Sequence, residues 1–136
     1  MKCPHCEQEI KLARRNLQGE NLYMADLSGA NLESAILHRA QLSGVDLREA
    51  NIGEADLTDA DLSRSSLQRV TLFHANLKEV RLGLANMQGA MLNRADLRRS
   101  SLIEADLRGA SLGLADLRDA DFTEARQDTP SKLARK

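Results

Sequence analysis

The stretch ADLTDADLS, residues 55–63, says nearly the same five-letter word twice. Leu57 and Leu62 belong to a row of large apolar residues at every fifth position from Leu12 to Phe122; of 23 positions 20 are Leu, and the others are Ile52, Met87 and Phe122. Two residues before each of these runs a second column, from Ala25 to Ala125, in which 16 of 21 positions are Ala and the exceptions are Val45, Val70, Val80, Ser65 and Ser100. The word is A-[D/N]-L-x-x, and no insertion breaks the count.

A period of five suits neither regular element. On an α-helix a step of five turns the chain by about 140° net, so the leucines would spiral around the whole surface and bury no stripe. On a flat strand an odd step sends successive leucines to opposite faces, while Ala and Leu, two apart, share one. The conflict is resolved if each word is a short extended piece with Ala and Leu inward, followed by a bend in the x-x pair. Repeated bends of one hand wind the chain into a coil whose turns stack at about 4.8 Å, with backbone groups paired along the axis and leucine upon leucine in the centre. Ala suits the inward site near the bend, where there is little room. The Asp or Asn before each Leu, as at Asp26, Asn31, Asp46, Asn51, Asp56 and Asp61, has a short side chain suited to bonding backbone groups beside the bend.

Uninterrupted tandem A-[D/N]-L-x-x resembles the pentapeptide-repeat family over roughly residues 16–125. The resemblance implies an all-β fold, a right-handed quadrilateral β-helix with four words and twenty residues per coil. The words from Asn16 to Ala125 would then make about five and a half coils, a solenoid of roughly 25 Å in which each coil contacts mainly its neighbours. Three segments follow: residues 1–15 as a CxxC segment and cap, 16–125 as the repeat, and 126–136 as a basic tail or short capping helix. Ile10 and Leu12 are placed to fold over the first coil, and Thr129 before Pro130 has the look of a helix start.

Composition agrees with a core of repetition. Of 136 residues 42% are apolar, yet there is no Trp and the aromatics are Tyr23, Phe73 and Phe122 alone. No apolar run is long enough to span a membrane, and MKCPHCEQEI lacks the apolar core of a secretory signal, so a cytoplasmic protein is expected. Residues 16–125 hold 17 acids and 11 bases, a net of −6, and the flanks 3 acids and 8 bases, a net of +5, which sum to the chain's −1. Neither value names a nucleic acid or membrane as partner.

Cys3-Pro4-His5-Cys6 is the one motif outside the repeat. Two cysteines at this spacing can offer both thiolates to one tetrahedral zinc, which makes zinc the implied cofactor. The context resembles the first knuckle of a zinc ribbon, but the second CxxC is absent, so a metal would need a second chain or distant histidines such as His38 and His74. An inert reduced pair and a dithiol redox pair are the other readings, the last lacking the βαβ context such chemistry uses.

Catalysis is not expected of a solenoid filled with Leu, which has no concave site and no inserted loop. Binding would lie in the outward letters. Twenty-residue stacking aligns His38, Thr58, Lys78, Arg98 and Arg118 beside Arg39, Asp59, Glu79, Arg99 and Asp119, an anion-binding strip or, more simply, a solvated ladder of ion pairs. Tyr23, Met24, Ile36, Phe73, Leu84, Met91, Ile103 and Leu114 are outward and apolar, and of these Leu84 and Ile103 fall on one side of adjacent coils as a candidate partner contact. The reading is an interaction or scaffold module with a protein partner. Two alternatives stand beside it: a sensor working through Cys3 and Cys6, and, from the family resemblance, a DNA-mimicking modulator of type II topoisomerase (gyrase). Dimerisation through the chain ends or a shared metal is a further expectation.

Overall fold

The computed structural model describes residues 11–128, and within them the five-residue word is a structural unit. Each word consists of one bridging residue, the inward Leu, a two-residue turn and the inward Ala. The bridges are all parallel and all twenty residues apart, from Lys11↔Asn31 through Asp56↔Asn76 to Asp106↔Arg126. A β-solenoid results, with four words between one rung and the rung stacked on it. Extended strands are not formed among the described residues: pairing is confined to isolated bridges, because two of every five residues are spent on the bend.

The word Asp56–Ala60 shows why this backbone can be buried. The Asp56 N–H donates to Ala35 O on one neighbouring coil (3.0 Å), and the Leu57 and Asp59 N–H groups donate to Asn76 O (2.8 Å) and Lys78 O (3.1 Å) on the other. The Ala60 N–H closes the bend on Leu57 O (3.0 Å), and the Thr58 N–H ends on Asp56 Oδ1 (3.0 Å). All five donors are satisfied without a helix or a continuous strand, as burial demands. All 14 Asp and Asn residues that begin a word repeat this side-chain turn, from Asn16 with Gln18 to Asp121 with Thr123.

The second residue of every bend is left-handed. Five are glycines, and 18 are not, including Asp59 at φ 59° and Leu84 at φ 59°. A four-residue turn closed by a Leu O···H–N Ala bond with positive φ at its third residue alone is of the type II kind.

Side chains fill the centre as the columns demand. The Leu column is buried from Leu27 to Leu107 and the Ala column from Ala30 to Ala115. Ser65 and Ser100 are buried polar residues in the Ala column, and their hydroxyls donate to Leu62 O (2.6 Å) and Leu97 O (2.7 Å), the same carbonyls their own N–H groups reach. A hydroxyl is tolerated there because the bend supplies its acceptor. At the two ends Leu12, Leu17, Leu22, Leu112 and Phe122 are only partly covered. No helix among the described residues is long and apolar enough to cross a membrane.

Candidate partner-binding surface

Because the inward letters are consumed by the core, chemistry is left to the two bend residues and to the bridging residue. On the side carrying Lys78, Arg98 and Arg118, the cations are drawn into pairs. Arg98 binds Asp96 (2.7 Å) and reaches Asp116 (3.6 Å), Arg118 binds Asp116 (2.6 Å), and Arg39–Asp59 (3.8 Å) and Arg99–Glu79 (3.6 Å) link adjacent coils. This is the solvated ladder of ion pairs. Lys78 forms no such close ion pair among the described residues, and its charge acts on Asp96 from further off.

A second device recurs within single words. Asp46, Asp96, Asp106 and Asp116 each carry an Arg two residues on, held through both carboxylate oxygens: Arg48, Arg98, Arg108 and Arg118. The Arg118 guanidinium, helped by its N–H, lowers the Asp116 carboxyl from 3.8 to about 2 against the opposing effect of desolvation. Arg108, with the Gln88 amide at 2.7 Å, holds Asp106 well below the usual carboxylate range, and Arg48 and Arg98 act likewise on Asp46 and Asp96. Asp26 and Asp121 are lowered instead by the hydroxyls of Ser28 and Thr123.

The outward apolar residues are placed as the columns require. Tyr23, Met24, Ile36, Phe73, Leu84, Ile103 and Leu114 are exposed, whereas Met91, a bridging residue, is half-buried. Leu84 and Ile103, 48% and 38% exposed, come together on one shallow groove of about 310 Å³. Gly83, next to Leu84 and one coil from Ile103 in the same column, presents no side chain, so the backbone floor is open, while the Leu84 N–H donates to Ile103 O at 2.9 Å and fixes their register. Arg64, Arg81 and Glu104 form the charged rim. Arg81 is held by Asp61 (3.3 Å), but Arg64 and Glu104 have no side-chain partner among the described residues. Sequence reasoning found the apolar pair and missed these two charges. The signal was there, since residues 64, 84 and 104 are twenty apart and share a column.

His38 and His74 stand on different sides and do not meet, and no group of three or more His, Cys, Asp or Glu among the described residues could hold a metal ion. Cys3 and Cys6, and with them the ribbon-like knuckle, lie outside the described residues.

The model of the pentapeptide repeats matches residues 25–64, 65–102 and 100–126, with 8 copies of the repeat. The chain belongs to the pentapeptide-repeat family. Among solved structures it is similar to the pentapeptide-repeat protein Rfr23 of the cyanobacterium Cyanothece 51142, at 25% identity and TM-score 0.60 over 88% of this chain and 84% of that one. QnrB1, a plasmid-mediated fluoroquinolone resistance protein, matches at 20% identity and TM-score 0.56 over 96% and 73%, a likeness of fold. HetL of Nostoc sp. strain PCC 7120, involved in heterocyst differentiation regulation, is 35% identical over 87% of this chain and 60% of its own length, with TM-score 0.39. No curated protein matches the sequence.

Proposed function

We propose that this pentapeptide-repeat chain is a non-enzymatic interaction module that presents outward residues to a protein partner from a rigid right-handed quadrilateral β-helix of about five and a half coils. A cytoplasmic setting belongs to the same reading. The observation that carries it is the Leu84–Ile103 groove: two exposed apolar side chains on an open glycine floor, flanked by Arg64 and Glu104, neither of which has a side-chain partner among the described residues. An apolar centre with a polar rim is the usual anatomy of a contact between proteins. The test is a photo-crosslinking residue placed at Ile103, with the same residue at His74 as control. Discrete adducts from position 103 and none from 74 are expected; adducts that ignore position, or none from 103, overturn the reading.

The gyrase-directed alternative draws support from the acidic excess of the repeat body. Weighing against it, four of the aspartates that would imitate phosphates are neutralised by an Arg two residues on. A supercoiling assay with and without a quinolone decides it, and no change at micromolar protein removes the alternative. Zinc at Cys3 and Cys6 is tested by the metal content per chain, with loss in Cys3→Ser as the supporting result.

A further inference from the structure

We propose that the occupant of the Leu84–Ile103 groove is a second copy of this chain, docked antiparallel about a two-fold axis that passes beside Leu84. The proposal rests on the reading of that groove as a protein contact and names the partner. Its basis is the order of charges along one column: Arg64, Leu84 and Glu104 are twenty residues apart, so one coil separates each from the next, about 4.8 Å along the axis. A two-fold axis perpendicular to the solenoid reverses the coil order of the partner while keeping its columns in line. Leu84 then faces Leu84 of the other copy, Arg64 faces Glu104, and Glu104 faces Arg64. The two charges, unpaired among the described residues of one chain, become two ion pairs between chains, and a patch that is self-complementary in this way is what an isologous interface requires.

The neighbouring column supports the same axis. Gly83 meets Gly83, so no side chain crowds the two leucines from the neighbouring column, and Ile103 meets Ser63 rather than a charge. Arg81 falls opposite itself, but each copy is already bound to its own Asp61 at 3.3 Å. Parallel docking would instead set Arg64 against Arg64 and Glu104 against Glu104, and is disfavoured. A five-residue side, two of its residues in the bend, is at most about 16 Å wide and the stacked coils about 25 Å tall, so one side covers at most on the order of 400 Å² per partner, which belongs to weak and transient interfaces. The dimer is therefore concentration-dependent.

Sedimentation equilibrium of the full chain, with reductant and chelator present so that Cys3 and Cys6 cannot link chains, should show the mass rising from 15.0 kDa toward twice that value. The range to cover is about 10 µM to about 1 mM, as suits an interface of this size. Leu84→Asp should hold the protein monomeric throughout. Arg64→Glu and Glu104→Arg should each weaken association about tenfold, and the two together should restore it to within about threefold, since they exchange the two halves of each pair. Each variant is checked by circular dichroism, and the rescue by the double reversal separates lost contact from lost fold. A single 15.0 kDa species at the highest concentration overturns the proposal. So does a dimer indifferent to Leu84→Asp, or a double reversal as weak as the single ones. Adducts of foreign mass from Ile103 in a chain that stays monomeric would leave the interaction module standing and remove the second copy.

Discussion

Asp56 accepts from both the N–H and the hydroxyl of Thr58, at 3.0 and 2.6 Å, so one carboxylate oxygen closes the only backbone donor of its word that no other coil or bend reaches. Asp56→Ala should lower stability by about 1 kcal/mol and Asp56→Asn by much less, read as the shift in urea midpoint. This role was legible in the sequence, since an Asx beside a bend has few other uses. The left-handed bend residue was not: it is Gly at only five positions, and Arg, Glu, Asp, His, Ser, Met and Leu at the rest leave no compositional mark. Gly29 offers a clean test, because a Cβ there meets nothing within 4 Å and its φ is +67°. Gly29→Ala should cost about 1 kcal/mol through backbone strain alone.

At the scale of the word, the inward pair sets the fold and the bend pair is free. Leu57 and Ala60 are fully buried, whereas Thr58 and Asp59 keep part of their surface in solvent. Leu57→Ala should cost about 2–5 kcal/mol by leaving a cavity in the ladder. Ala60→Trp should prevent folding, since no ring fits beside the bend, while Thr58→Trp should remain a β-rich solenoid by circular dichroism. The period of five alone gave both columns their direction. It did not show that pairing would be limited to single bridges, because the share of the word taken by the turn is visible only once the backbone is placed. Of the candidate site, Leu84 and Ile103 could be read from column and coil, but their charged rim depended on knowing which neighbours are already paired. Arg81 and Arg64 look alike as letters, and Asp61 separates them.

For the whole molecule, the aspartate–arginine words make stability depend on acid. Asp116 falls from 3.8 to about 2, and Asp46, Asp96 and Asp106 move the same way, so the folded state binds protons less readily than the unfolded one. That contribution is fully present above about pH 4 and is lost as pH falls through the lowered values toward 2. The urea midpoint should therefore be flat at neutral pH, drop below about pH 4, and drop less steeply in Arg118→Gln; a midpoint unchanged down to pH 2 contradicts the assignment. Beyond this, coils contact only their neighbours, and the central claim is that inward letters hold the solenoid while outward ones are free to bind. The most direct test is a substitution scan of residues 21–117 read by protease resistance. Intolerance should recur with a strict period of five at the Leu and Ala columns, with the non-glycine bend residues tolerant, Arg64, Leu84, Ile103 and Glu104 among them. Tolerance without that period, or a bend column as sensitive as the Leu column, would contradict the account.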